Sequence, residues 1–206
     1  MSAIVRTLTE ADRPAVLRHL TRLPPEDRRL RFGRSMNPLA LKRYLSSIHF
    51  DADRAFGVFD ADMTLIGFAH LALSSDASFA ELGLSVLSES RRQGHGESLL
   101  RRAALHASNL GIRVIHMYCL RENEAIMRLA RKAGFNVVPE GIEAAATKPI
   151  ATGSFASLGQ EALCDQIALV DQIYKRQARK ISRLVSFERL FVNVRRLLRA
   201  RRQLQH

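Results

Sequence analysis

Glu81-Leu82-Gly83-Leu84-Ser85-Val86-Leu87-Ser88-Glu89-Ser90-Arg91-Arg92-Gln93-Gly94-His95-Gly96-Glu97-Ser98-Leu99-Leu100 decides the fold of this chain. Its first part belongs to a strand, Phe79 to Leu87, that alternates. Leu82, Leu84 and Val86 share one face, and Glu81, Gly83 and Ser85 share the other. The next part, Ser88 to Gly96, is polar and ends in Gly94 and Gly96. From Glu97 the period becomes helical, with Leu99, Leu100, Ala103, Ala104 and Leu105 apolar and Leu110-Gly111 as the stop. A strand, a glycine-containing turn and a helix in succession leave the first amides of the helix without intrahelical partners. With the helix dipole they form an anion site suited to a pyrophosphate. Gly94 and Gly96 are expected to let the backbone approach the anion closely, and Arg91 and Arg92 add positive charge. The loop lacks the Lys-Ser/Thr of an ATP-type P-loop, which argues against triphosphate hydrolysis. It also lacks the three-glycine spacing and early position of a dinucleotide fingerprint.

Upstream, Ile4 to Leu8 alternates like a short strand. Thr9-Glu10-Ala11-Asp12 starts a helix with Val16, Leu17, Leu20 and Leu23 at helical spacing, ended by Pro24-Pro25. Residues 23–37, rich in arginine, are expected to be a loop. Asn37-Pro38 opens a second helix. Ala55–Phe59 and Thr64–Leu73 form a hairpin around Asp60-Ala61-Asp62. Downstream come a strand at Ile112–Leu120, a helix capped by Asn123, extended chain at Phe135–Val138 and a last edge strand at Ile142–Lys148. This order predicts a mixed α/β fold, with helices covering a sheet that turns from antiparallel to locally parallel.

Length and composition fit one domain with an appendage: a globular domain over 1–150 and a basic helical extension over 155–206. The chain has 206 residues and a net charge of +12. Residues 1–154 carry 21 Lys and Arg against 16 Asp and Glu, and residues 155–206 carry 11 against 4. No apolar run approaches the roughly 18 residues of a membrane span. The opening MSAIVRTLTEADRP lacks the pattern of a signal peptide. Cys119 and Cys164 make neither a disulfide framework nor a zinc cluster, and a cytoplasmic location is expected. His70 and His116 lie inside strands without a metal-ligand spacing partner, so no metal is expected. Neither cysteine has the helix-start setting of a nucleophile, and no Ser-His-Asp arrangement is inferable.

Two motifs carry a resemblance. Arg91-Arg92-Gln93-Gly94-His95-Gly96 resembles the acetyl-CoA loop of the GNAT superfamily of N-acetyltransferases, Gln/Arg-x-x-Gly-x-Gly/Ala. Asn123-Glu124-Ala125-Ile126-Met127-Arg128-Leu129-Ala130-Arg131-Lys132-Ala133-Gly134-Phe135 is similar to the family's second cofactor segment. In element order the resemblance covers residues 3 to 148. It implies a central sheet splayed between two parallel strands, here Phe79–Leu87 and Ile112–Leu120, with the thioester of acetyl-CoA in the gap. It further implies that backbone near Leu84 and Val86 pairs with the pantetheine amides. Amides from Gln93 through Gly94, His95 and Gly96 to Glu97 would hold the pyrophosphate, and Asn123 would contact the pantetheine arm. Asn123 also reads as a plain helix cap.

The implied reaction is direct transfer of an acetyl group to a primary amine of a protein or small molecule. An amine attacks only when neutral, and a lysine-type amine has a reference pKa of about 10.4, so a general base helps. Glu81 occupies the strand position where several family members carry a catalytic Glu. A backbone N–H near Leu84 is the family-like oxyanion donor. Many members place an acidic Tyr one residue after the Leu of the second motif, but here that residue is Ala130. Tyr118 and Cys119 are the alternative candidates for the acid. Arg28, Arg29, Arg31 and Arg34 in residues 23–37 give a hint of an acidic acceptor or a surface contact.

In the extension, Leu163, Ile167, Val170 and Ile173 mark one apolar face. Ile181, Leu184, Val185, Leu190, Phe191, Val194, Leu197 and Leu198 mark another, backed by arginines from Arg183 to Arg202. This basic amphipathic pattern suits docking on the domain or pairing in a homo-oligomer. Contact with nucleic acid or an anionic membrane is also open. The competing reading is a GNAT-like coenzyme A-binding module of little or no activity, whose tail engages one of those partners.

Overall fold

The computed structural model describes residues 3–203 apart from 75 and 77, with side chains as far as 179. Strand β1 (Arg6–Thr7) is followed by a turn of 3-10 helix at Glu10–Asp12 and helix α1 (Arg13–Arg22). The Thr9 N–H donates to Asp12 Oδ2 at 3.0 Å, which fixes the entry into this helical segment. Helix α2 (Pro25–Phe32) comes next, then α3 (Pro38–Ser46), where Asn37 Oδ1 caps the Ala40 N–H at 2.8 Å. Strands β2 (Arg54–Phe59), β3 (Leu65–Leu73) and β4 (Phe79–Val86) precede α4 (His95–Asn109), β5 (Val114–Leu120) and α5 (Glu124–Lys132). Strands β6 (Asn136–Glu140) and β7 (Glu143–Pro149) lead to the long α6 (Phe155–Gln203).

Helix α2 corrects the expectation of a loop over 23–37. Pro24-Pro25 does end α1, but Pro25 then occupies the first turn of a new helix, where its missing N–H costs nothing. Glu26 and Asp27 follow in that turn, and Gly33 terminates the helix at φ 70°.

The seven strands form one mixed sheet in the order β1-β2-β3-β4-β5-β7-β6. The β4–β5 pair is parallel and the other pairs are antiparallel. Residues 142–148 were expected at an edge, but β7 sits between β5 and β6. The edge is β6, whose Pro139 cannot donate to a ladder and is tolerated there. Helices α1 and α3 cover one face: His19 meets Leu65 and Ser85, and Tyr44 meets His70. Helix α4 covers the other, where a Cβ on Gly67 would touch Leu99. Phe56, Phe68, Leu71, Leu82, Leu99 and Ile115 are fully buried in the core.

Helix α6 docks on α4 and β1, and the docked face is not the one that hydropathy suggests. Leu163, Ile167, Val170 and Ile173 are all exposed. The contact is made instead by Glu161, Asp165 and the buried Ala168. The guanidinium of the buried Arg102 donates to Glu161 Oε1 at 2.5 Å, Asp165 Oδ1 at 2.8 Å and Thr7 Oγ1 at 3.2 Å. Asn109 Nδ2 and His106 Nδ1 reach Glu161 at 2.6 and 2.5 Å, and Lys175 Nζ donates to the Phe59 carbonyl at 2.9 Å. Arg102 has no carboxylate from its own helix here, so its desolvated charge selects an acidic face of α6 over an apolar one. The predicted stripe from Ile181 to Leu198 and its arginines lie outside the residues whose side chains are described.

Candidate active site

The β4–β5 pairing covers only Phe79↔Val114, Ala80↔Ile115 and Glu81↔His116. Beyond these residues the two strands part, while β4 stays paired with β3 up to Val86 and β5 with β7 up to Leu120. The gap opens toward the C-terminal ends of both strands. The β3–β4 register sets which backbone groups face it. Leu87 N–H donates to the Ile66 carbonyl at 2.9 Å and Ser74 N–H to the Phe79 carbonyl at 3.0 Å. In an antiparallel ladder every second residue bonds the partner strand, so the odd-numbered residues of β4 bond β3. The N–H and C=O groups of Leu84 and Val86 therefore point into the gap, and the Val86 carbonyl accepts from Arg91 Nε at 3.2 Å.

A cleft of about 830 Å³ continues from this gap. Its walls are α2, the end of β4, the turn before α4, and the N-terminal part of α5. The first intrahelical bond of α4 runs from the Ser98 N–H to the Gly94 carbonyl at 3.0 Å, so the amides of His95, Gly96 and Glu97 precede the ladder. The two glycines serve different needs. Gly94 has φ 81° with open space around it, so the left-handed backbone is what requires glycine. At Gly96 a Cβ would lie 3.1 Å from Leu129 Cδ2, so the absence of a side chain lets α4 approach α5.

Most of the sequence-predicted residues meet here. Leu84, Val86, Arg91, Arg92, Gly94, His95, Gly96, Glu97 and Asn123 all line the cleft. Their charges are partly spoken for. Arg91 pairs with Asp27 of α2 at 2.6 Å, and Glu97 with Lys132 of α5 at 2.7 Å. Arg92 is exposed and holds φ 60°. The His95 ring is half-buried, both its nitrogens lack partners, and burial lowers its pKa. Asn123 Oδ1 caps the Ile126 N–H at 3.3 Å, and its Nδ2 reaches the Leu30 carbonyl of α2 at 3.5 Å. Gln93 is outside the lining and leans on the Glu89 carbonyl at 3.5 Å.

Glu81 and Tyr118 are also outside the cleft wall. Glu81 is exposed on the α1–α3 face of the sheet, on the same strand face as Gly83. Tyr118 is 55% exposed and stacked on His116, which in turn meets Phe79 edge-on. Cys119 points the opposite way into the interior. Its Sγ lies 3.7 Å from the Ala144 carbonyl and burial pushes the thiol pKa up, so it is a poor acid for this site. Ala130, where the resemblance implies a Tyr, is buried and does not line the cleft.

Sequence reasoning missed Asp27 and Leu30 because it missed α2, and it had Arg31 only as one of four arginines hinting at an acidic acceptor or a surface contact. The signal was present in Pro25-Glu26-Asp27, a proline followed by acids in a first turn, with Gly33 as the stop. Arg31 reaches from α2 across Gly83 of β4, where a Cβ would overlap its guanidinium. Its Nη2 donates to Tyr44 Oη at 3.4 Å. Tyr44 Oη is 3.0 Å from His70 Nδ1, and His70 Nε2 is 3.2 Å from Asp53 Oδ2. The carboxylate beside Nε2 favours a proton there, so Nδ1 accepts from Tyr44 and the phenol oxygen is left to accept from Arg31. Burial raises the Tyr44 pKa and lowers that of His70, which keeps both neutral near pH 7.

A sheet that splays between two parallel strands, with unladdered helix amides at the mouth of the gap, defines the class. The sequence profile of the acetyltransferase (GNAT) domain matches residues 3–136, and the chain belongs to this family. The GNAT domain of S. lividans PAT superposes with a TM-score of 0.61 at 18% identity, over 71% of this chain and 89% of that one. A phosphinothricin acetyltransferase from Sinorhizobium meliloti, in complex with AcCoA, gives 0.58 at 16% identity, over 75% and 91%. The ribosomal-protein-S18-alanine N-acetyltransferase from Escherichia coli gives 0.56 at 20% identity, over 73% and 96%. A search of curated protein sequences returns no match. Among the described residues no helix is long and apolar enough to cross a membrane.

Proposed function

We propose that this protein is an acetyl-CoA-dependent N-acetyltransferase that acts on a primary amine. The observation that carries the reading is the gap between β4 and β5, with the Leu84 N–H and C=O directed into it and the α4 amides at its mouth. Those groups fit the carrier: extended backbone for pantetheine amides, and the amides of His95, Gly96 and Glu97 with the α4 dipole for the pyrophosphate. When bound, acetyl-CoA supplies an activated acyl thioester.

The chain's own residues do the rest. The Leu84 N–H stabilises negative charge that develops on the carbonyl oxygen. Glu81 takes a proton from the incoming ammonium, directly or through water, so that a neutral nitrogen attacks. A thiol of reference pKa about 8.5 leaves as a thiolate with modest help, so the absence of a Tyr at Ala130 is tolerable. Tyr118, on the sheet face of Glu81, is a candidate donor to it. The acceptor is a small-molecule or protein amine. A cytoplasmic location, and pairing of subunits through α6, belong to the same reading.

The test is calorimetric titration with acetyl-CoA, followed by free-thiol release in the presence of an amine panel. Binding together with turnover that falls at least tenfold in Glu81→Gln supports the reading. Absence of heat at millimolar acetyl-CoA refutes it. Binding without any turnover favours the inactive coenzyme A-binding module.

A further inference from the structure

We infer that Arg31 reads a carboxylate on the acceptor, so that the substrate class is an amine carrying a carboxylate a few bonds away, as an α-amino acid does. This rests on the acetyltransferase reading above and narrows it.

The first observation is an unpaired charge. The carboxylates of α2 and of the turn before α5 are already engaged: Glu26 and Glu122 hold Arg29, each at 2.7 Å, and Asp27 holds Arg91 at 2.6 Å. Glu81, on the same strand face as Gly83, is the remaining nearby carboxylate and makes no ion pair with Arg31 among the described residues. Among the described residues Arg31 has no carboxylate partner, and its buried Nε has no hydrogen-bond partner. Among the described residues its guanidinium rests over Gly83, makes a long bond to Tyr44 at 3.4 Å and lies 5.0 Å from the Phe32 ring. A half-buried guanidinium with open donors is costly unless an anion completes it. The fork geometry of arginine suits a carboxylate bound through two oxygens.

The second observation is that the position is built. Gly83 leaves room for the guanidinium, and the chain Asp53–His70–Tyr44 holds it from behind through neutral groups that do not cancel its charge. Arg31 lines the cleft beside Leu84, so the anion it binds would sit near the proposed transfer point.

The third is spacing. Glu81 and Gly83 share a strand face two residues apart, an interval of about 6.6 Å at the usual rise. The amine and carboxylate of an α-amino acid hang from one carbon. With a hydrogen bond of about 2.9 Å at either end, such a ligand bridges Glu81 to the guanidinium above Gly83. The amine is then delivered to the proposed base. Phe79, His116 and Tyr118 extend this face as a ring-lined wall, which suits an apolar or aromatic side chain on the acceptor.

The test uses the full chain and three probes with one aromatic side chain: L-phenylalanine, L-phenylalanine amide and phenethylamine. Thiol release from acetyl-CoA gives kcat/KM for each. The ratio of amino acid to amide, compared between wild type and Arg31→Gln, cancels differences in intrinsic amine reactivity. We expect that ratio to fall about 10- to 100-fold in Arg31→Gln, the range for a charge-assisted pair, chiefly through KM for the carboxylate. Arg31→Lys, which keeps the charge and loses the fork, should fall between. An unchanged ratio overturns the inference, as does a loss confined to acetyl-CoA affinity. If acetyl-CoA binds and simple amines turn over while no carboxylate-bearing amine does, the inference fails and the acetyltransferase reading stands. If acetyl-CoA does not bind, both fail.

Discussion

Replacing Glu161 by Gln should uncouple α6 from the sheet domain. The carboxylate of Glu161 accepts from Arg102, His106 and Asn109 at 2.5, 2.5 and 2.6 Å, and its side chain is only 14% exposed. Hydrogen bonds from these neighbours outweigh burial and hold its pKa down to about 2. Set against an ordinary value near 4.5, that depression corresponds to about 3 kcal/mol of folded-state stability. A depressed carboxylate contributes its stability fully above its unfolded pKa and loses it as the pH falls toward the folded value. The difference between wild type and Glu161→Gln in urea unfolding should therefore be about 3 kcal/mol at pH 7. It should shrink steadily between pH 5 and pH 3. His106 bonds the same carboxylate and its titration is coupled to it, so the comparison is repeated on a His106→Gln background, where the subtraction isolates Glu161. A difference below about 1 kcal/mol at pH 7, or one that does not shrink on acidification, would refute the argument that charge rather than apolar burial docks α6.

Three further outcomes follow from the geometry. His19, buried between the Leu65 carbonyl and Ser85 Oγ at 2.9 Å each, has its pKa lowered to about 4, chiefly by burial. Protonation favours the unfolded chain, so stability should drop by about 3 kcal/mol between pH 6.5 and pH 4. His19→Gln should show a flatter profile over that window in urea titrations. Gly94→Ala should cost about 1–2 kcal/mol, because φ 81° is left-handed and the space is open. Gly94→Glu should add at least a tenfold loss of acetyl-CoA affinity by calorimetry, and equal affinities in the two variants would count against the anion site. Gly83→Ala should displace the Arg31 guanidinium and lower the amino acid to amide ratio as Arg31→Gln does, whereas an unaltered ratio would mean that the guanidinium acts from elsewhere.

The sequence by itself determined the strand–turn–helix at residues 79–109 and the two motifs of the cleft. It also determined the mixed character of the sheet. Those features are local: alternation, helical period and the glycine needed at a positive φ are all written in neighbouring residues. Asn123 was legible as a helix cap for the same reason. The strand order was not, because insertion of β7 between β5 and β6 depends on which edge is free when the chain returns. Nor was the docking of α6. Hydropathy selects Leu163, Ile167 and Val170, yet a buried arginine on α4 reverses the preference. The splay of β4 from β5 and the reach of Arg31 across Gly83 were settled only in three dimensions. Each depends on groups far apart in the chain, whose charges and hydrogen bonds are satisfied together or not at all.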